Sequence, residues 1–338
     1  MALGALAREL ARRGTARAAR PDWRAAAGAG WGQVCHAGTA AALGGESGSD
    51  SALPRAERDM LGAGRAGAAA AAEALRGLAG AARRLGDEAT ERRATSRLVT
   101  ALQWTGDSRD AAEAEAVARA AEGRLWGDWR QRPLEYVPAL PPRGGFPDPD
   151  TAGLSAALGA LRALTALRDD ALAAEASAFV AAAGATQPEG LVDARAAALA
   201  GASWTHVRLD AMAATTDGRE AMRERAPAVA MLAHALCAAA RDAGAPVVSY
   251  RLSALTLGMP AEEGARRRLH IRPHVGPTNA HWTVHAPLVM PSRELATAKL
   301  TVGGERREWR LGEPILFDDS YEHEVCALRP EARARASA

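Results

Sequence analysis

Histidine side chains are concentrated in one stretch near the end of this chain. Five of the eight histidines fall between His270 and His323. Imidazole is a good ligand for iron, zinc and copper, so histidines that converge on one small fold suit a metal site. A lone buried histidine is more often an ordinary core residue, and that alternative stays open for each one taken singly. The cluster as a whole predicts metal chemistry.

These histidines lie among short segments rich in β-branched and aromatic residues. Strands are predicted in PVVSYRLSAL, LHIRPHV, HWTVHAPLVM, ATAKLTV, RREWRL and PILFDD. Gly303-Gly304 stands between two alternating runs, which predicts a two-residue hairpin turn. Several short strands at close spacing indicate an all-β barrel or a double-sheet jelly roll after about residue 200.

The first half of the chain has a different character. Ala-rich segments from about residue 65 to 125 carry sparse leucines at helical spacing, which predicts helices. Six prolines within residues 133–149 predict an extended connector. Leucines that recur every three or four positions from Leu154 to Leu167 then predict a scaffold helix.

Four parts are therefore expected along the chain: a disordered or targeting segment (1–60), an Ala-rich helical region (61–130), a Pro-rich connector with the scaffold helix (131–200) and a β domain (201–338). Five arginines and one acid in the first twenty residues fit either an organelle transit peptide or a basic helix of a soluble protein. The compartment stays open, and an endomembrane association is among the alternatives.

Composition excludes several classes of protein. A net charge of +2, from 42 basic and 40 acidic residues, gives no reason to expect a nucleic-acid partner. Cys35, Cys237 and Cys326 are widely spaced, which argues against a disulfide scaffold or a zinc finger. No run of eighteen apolar residues occurs, so no membrane span is predicted.

Two long stretches resemble the aspartyl/asparaginyl β-hydroxylase family. They are IRPHVGPTNAHWTVHAPLVMP at 271–291 and GEPILFDDSYEHEV at 312–325, and a weaker resemblance extends over about 130–333. Members of that family are iron(II)- and 2-oxoglutarate-dependent dioxygenases. The resemblance implies an α+β chain in which the helical N-terminal region precedes a double-stranded β-helix, a jelly-roll or cupin-like domain.

The resemblance also implies the metal ligands. His274 matches the first iron ligand of the family and His323 the second. In the wider oxygenase superfamily a carboxylate two residues after the first histidine is a third ligand, and here that position is Gly276. The family resembles a class in which two histidines and no carboxylate hold the metal. Gly276, which has no side chain to bind a metal, is consistent with that class. Asp318 and Asp319 are interpreted as turn residues that orient the strand of His323.

Three further residues match the family's cosubstrate pocket. Arg333 corresponds to the arginine that binds the distal carboxylate of 2-oxoglutarate, a task that suits a planar guanidinium. His285 matches a cosubstrate-binding histidine, and Trp204 matches a tryptophan that lines the pocket. The alternatives are a solvated tail for Arg333 and simple core packing for Trp204.

The chain departs from the family pattern at several places. Thr283 stands where the family has an arginine, and either Ser249 or Tyr250 takes the place of a serine that contacts the cosubstrate. The family continues after its arginine with another apolar strand, whereas this chain has five residues after Arg333. A jelly roll without its last strand is therefore expected, from a truncated gene model or an impaired protein.

The implied activity uses iron(II), 2-oxoglutarate and O₂ to hydroxylate an unactivated carbon, the β-carbon of Asp or Asn in a protein or peptide substrate. Three alternatives remain open. They are a catalytically impaired jelly-roll binding protein, a hydroxylase of lipid acyl chains, and a zinc-bound cupin-like protein.

Overall fold

The computed structural model describes residues 64–150, 153–166, 169–186, 203–242, 252–256, 268–290 and 297–328. Its helices are α1 (Gly64–Leu85), α2 (Glu88–Thr105), α3 (Ser108–Ala121), α4 (Ser155–Ala166), α5 (Asp170–Thr186), α6 (Leu209–Ala214), α7 (Thr216–Arg225) and α8 (Pro227–Asp242). Its strands are β1 (Ser203–Val207), β2 (Leu252–Thr256), β3 (Arg268–His274), β4 (Thr283–His285), β5 (Thr297–Val302), β6 (Glu305–Glu308), β7 (Ile315–Phe317) and β8 (His323–Leu328).

The first three helices follow one another through short, capped loops. Asp87 caps α2 by accepting a hydrogen bond from the Thr90 amide, and Asp107 caps α3 through the Arg109 amide. Gly106 ends α2 in the left-handed conformation that glycine adopts without a steric cost. The alanines Ala68, Ala71 and Ala72 of α1 are buried in the same core as Leu98 and Leu102 of α2. Helices therefore form in the N-terminal part, as expected.

The proline-rich connector contains neither a helix nor a strand, as its prolines predict. It runs along the C-terminal strands instead, and its backbone forms isolated bridges between Gln131 and Tyr321 and between Glu135 and Thr278. The Gly145 carbonyl accepts from the amide of Asp318 at 2.9 Å. The leucine-rich segment after the connector forms α4, as predicted.

A second group of helices lies inside the segment 201–338 that was assigned to a β domain. Helices α6, α7 and α8 occupy residues 209–242 and, with α4, α5 and the antiparallel pair β1–β2, surround a separate core. The alanines of α8 favour a helix there, because alanine has the highest helix propensity. Within the strand predicted at PVVSYRLSAL, only residues 252–255 belong to the described part of the chain, where they form most of β2.

The remaining strands form two antiparallel sheets, ordered β3-β8-β5-β6 and β4-β7. The predicted hairpin is confirmed: β5 and β6 pair through Val302 and Glu305, and Gly303 and Gly304 have φ values of +57° and +89°. The architecture is thus mixed, with helices first and antiparallel strands last. The jelly roll itself stays a prediction.

One apolar core joins the front helices to these strands. It contains Leu98, Leu102 and Trp104 of α2 together with Ile271 of β3 and Leu300 of β5. Within the described ranges, no helix is both long enough and apolar enough to cross a membrane.

Candidate active site

The structure brings the two histidines of the resembling motifs together. His274 ends β3 and His323 begins β8, and the antiparallel pairing of these strands places the two residues opposite each other. The register shifts between Ile271 and His274, a β-bulge that turns the end of β3. The ring centroids are 4.1 Å apart, with 52° between the ring planes.

Both rings are oriented in the same way, each by a backbone carbonyl two residues earlier in the chain. Nδ1 of His274 lies 2.8 Å from the carbonyl oxygen of Arg272, and Nδ1 of His323 lies 2.9 Å from that of Tyr321. A carbonyl oxygen can only accept, so in each neutral ring Nδ1 carries the proton and Nε2 the lone pair. Nε2 is then the atom available in each ring to bind a metal.

Burial favours the neutral, metal-binding form of one ring. His323 is buried, and desolvation lowers its pKa, although the nearby charge of Asp319 opposes that shift. A neutral imidazole is the state that coordinates a metal, because the charged ring has no lone pair to offer.

Gly276 is required by the carboxylate beside it. The Gly276 amide donates to the backbone oxygen of Asp319 at 2.6 Å, and a Cβ added at Gly276 would lie 2.6 Å from the Cγ atom of Asp319. No side chain fits there without a shift, so the carboxylate ligand of the wider superfamily has no room at this position. Within the described ranges, no group of three His, Cys, Asp or Glu side chains is arranged to hold a metal.

Asp319 is held as an anion next to the histidine pair. Burial by itself would raise its pKa, but the interaction with His281 and the hydrogen bond with Thr283 outweigh burial and lower the pKa. Oδ1 lies 3.5 Å from Nε2 of His281, and the side chain also hydrogen-bonds to Thr283.

Asp318 has a structural role in the turn before β8. Its carboxylate accepts from the Ser320 amide at 3.0 Å, from the Ser320 hydroxyl and from Nε2 of Gln131 at 3.1 Å. Burial raises its pKa to about 6 in spite of the hydrogen bonds from Ser320. These contacts support the interpretation of Asp318 as a turn residue.

His285 belongs to the same row of rings. It lies on β4, and its ring meets the edge of Phe317 at 4.7 Å, while Phe317 contacts His323 at 5.7 Å. The ring centroid of Trp309 lies 5.4 Å from that of His285, and the buried indole N–H of Trp309 has no acceptor among the residues that the structure describes. Sequence reasoning missed both aromatic residues, and the Trp in the short strand RREWRL was the available signal.

The other predicted site residues lie partly or wholly outside the described part of the chain. The backbone of Trp204 lies in β1 opposite Leu255 of β2, and its side chain is outside the described part. Arg333, Ser249 and Tyr250 also fall outside the described residues. Of the five predicted site residues, the structure therefore brings together His274, His323 and His285.

Comparison with known proteins identifies the protein family to which this chain belongs. A family model described as Aspartyl/Asparaginyl beta-hydroxylase matches residues 165–335, which is half of the chain, and the chain belongs to this family. It is 43 % identical over 56 residues to the aspartyl/asparaginyl beta-hydroxylase of Mus musculus, and 41 % identical over 56 residues to that of Homo sapiens. Each alignment spans 17 % of this chain and 7 % of the relative.

Proposed function

We propose that this protein is an iron(II)- and 2-oxoglutarate-dependent dioxygenase that hydroxylates the β-carbon of Asp or Asn residues in a protein substrate. The observation that carries the proposal is the pair His274 and His323, whose rings lie 4.1 Å apart with both Nδ1 atoms turned to backbone carbonyls. The family to which the chain belongs supports the hydroxylase class.

The donor set fits a ferrous ion that also binds a chelating cosubstrate. Two imidazoles would hold the metal, and the space at Gly276 is already taken by Asp319, so the protein offers no carboxylate from that position. Iron(II) and 2-oxoglutarate, when bound, supply the O₂-dependent oxidising chemistry that no side chain can perform.

The protein's own residues would bind the metal and orient the cosubstrate. His323, neutral because it is buried, keeps its lone pair for the metal at neutral pH. The buried ring of Phe317 contacts both His285 and His323 and would keep water away from that side of the site. The buried N–H of Trp309, beside His285, is suited to donate to an acceptor oxygen of the cosubstrate. We assign Arg333 and Trp204 to the cosubstrate pocket on the resemblance of their motifs.

The test is turnover by the full chain. Protein loaded anaerobically with iron(II) is given 2-oxoglutarate, O₂ and Asp- or Asn-containing peptides, and the expected products are succinate and a peptide heavier by one oxygen atom. His323→Ala should lower metal affinity at least about tenfold and remove turnover. His270→Ala is the matched control, because this histidine lies on β3 and pairs with Glu324 instead. Metal-loaded parent protein that forms no succinate with any peptide would contradict the proposal.

A binding protein without turnover is the second candidate, and Thr283 is the observation that favours it. The family's arginine is absent there, and the hydroxyl group of Thr283 is engaged with Asp319. Such a protein would bind 2-oxoglutarate in the presence of Co(II), measured by calorimetry, and would still form no succinate with iron(II) and O₂. Succinate formation decides against it.

A further inference from the structure

Side chains of helix α2 contact the residues that immediately precede His274 and His323. Each ring donates through Nδ1 to the carbonyl two residues earlier in the chain, so one residue lies between each histidine and its acceptor. Those intermediate residues are Pro273 and Glu322. Both are held by neighbouring side chains at the end of α2.

Trp104 holds the strand of His274. Its indole N–H donates to the Pro273 carbonyl at 2.8 Å, and the guanidinium of Arg272 lies over its ring, 5.5 Å from the centroid. The side chain is buried, so the hydrogen bond is protected from water. The backbone oxygen of the same Arg272 accepts from His274, and Trp104 therefore fixes the segment that orients this ring.

Gln103 holds the strand of His323. Its side-chain amide donates to Oε2 of Glu322 at 2.5 Å, across 219 positions of the chain. Arg132 donates to the same oxygen at 2.6 Å, and this guanidinium is fully buried. The charge-assisted contact gives Glu322 a defined position next to His323.

The connector joins these contacts into one network. The backbone amide of Arg132 donates to the Ser320 carbonyl at 3.1 Å, and the Arg132 carbonyl accepts from the hydroxyl of Ser96 on α2 at 2.6 Å. Helix α2 thus reaches the segment before β8 directly, through Gln103, and indirectly, through Arg132.

We propose that α2 is a positioning element of the metal site, in which Gln103 and Trp104 set the distance and relative orientation of His274 and His323. Both residues lie outside the 165–335 segment that matches the family model. The proposal rests on the proposed function, because it takes the two histidines as ligands. Neither residue touches the metal, and each acts through a ligand-bearing strand.

Cobalt(II) is the probe, because its d–d absorption bands report the coordination geometry of a site and it needs no O₂. The full chain, Trp104→Phe and Gln103→Leu are titrated with Co(II). Outer residues of this kind typically change metal affinity by about 10- to 100-fold, so each variant should bind Co(II) at least about tenfold more weakly, with shifted bands. Both should keep the far-ultraviolet circular dichroism of the parent.

Trp126→Phe is the matched control, because Trp126 is as buried as Trp104 and packs with Leu125 away from the histidines. Its Co(II) affinity and spectrum should equal those of the parent. Glu322→Gln, which keeps an acceptor oxygen for Gln103, should bind Co(II) better than Glu322→Ala does.

The outcomes separate the two proposals. A parent chain that binds no Co(II) overturns the assignment of the ligands and, with it, the proposed function. A parent that binds Co(II), together with Trp104→Phe and Gln103→Leu variants of unchanged affinity and spectrum, overturns the role of α2 alone. If the Trp126→Phe control lost as much Co(II) affinity as the α2 variants, the cause would be a general destabilisation, and the positioning role of α2 would again be overturned.

Discussion

At the scale of single residues, the side chain of Asp319 lies so close to Gly276 that it restricts which residue can occupy position 276. A carboxylate at position 276 would complete a three-ligand site, but the Asp319 side chain occupies the volume that its Cβ needs. The glycine is therefore explained by packing, and the absence of a carboxylate at this position follows from the same contact.

Gly276→Asp tests this explanation. The new Cβ would lie 2.6 Å from Cγ of Asp319, so the turn must shift, and overpacking of this kind costs about 1–3 kcal/mol of unfolding free energy. Adding Asp319→Ala to Gly276→Asp should restore part of the loss, as measured by urea unfolding. Gly159→Ala is the control, because its Cβ meets nothing within 4 Å and alanine is favoured in a helix. A Gly276→Asp protein as stable as the parent would refute the packing argument.

Asp318 should make the stability depend on pH. Burial raises its pKa from 3.8 to about 6, so between these values the folded protein keeps a proton that the unfolded chain has lost. Its contribution to stability is therefore greatest below about pH 4 and falls as the pH rises through 6. Asp318→Asn removes that titration. From pH 4.5 to pH 7 the variant should gain about 2 kcal/mol relative to the parent in urea unfolding. If the difference in unfolding free energy between the variant and the parent were the same at both pH values, the prediction would be contradicted.

At the scale of elements, the strand pairing determines where His274 and His323 meet. β8 lies between β3 and β5, and its first residue, His323, pairs with His274 on one side and with Val302 on the other. The β5–β6 hairpin thus supports the strand that carries His323. Its turn depends on two glycines with positive φ.

Gly304→Ala should weaken this hairpin. At φ +89° a Cβ is strained whatever the space around it, and the left-handed region costs about 1–2 kcal/mol for an L-residue. Denaturant unfolding should show a loss of that size. Gly77→Ala is the matched control, because the position lies inside α1 with open space around it, and its stability should equal or exceed that of the parent. If Gly304→Ala were as stable as the parent, the positive φ of this turn would not require a glycine at position 304.

At the scale of the whole molecule, the front helices and the last strands share one core. Leu98, Leu102 and Trp104 of α2 are buried with Ile271 and Leu300, so separation of the two regions would expose apolar surface on both. The second core, around α4–α8, contains other residues and is a distinct packing unit.

A chain that begins at residue 122 tests the shared core, because it lacks α1, α2 and α3. Loss of the α2 face should leave the strands without a cooperative thermal transition and with strong binding of a hydrophobic dye. The full chain, measured in parallel, should unfold cooperatively. A fragment that unfolds cooperatively and binds Co(II) as the full chain does would refute the interdependence of helices and strands.

The sequence by itself determined the features that depend on neighbouring residues. Gly303-Gly304 specified the hairpin, the prolines of 133–149 excluded regular structure, and the leucine spacing gave α4. The motifs around His274 and His323 identified the pair of rings. Sequence patterns gave no helix at 209–242, a segment assigned to the β domain, where the structure has three helices.

Only the tertiary structure decided how distant residues meet. Gln103 reaches Glu322 across 219 positions, and Trp104 reaches Pro273 across 169, and no local pattern predicts either contact. Propensity and periodicity act over a few residues, whereas side-chain contacts depend on how packed elements approach each other. The closeness of the two rings, the crowding at Gly276 and the support from α2 all have that origin.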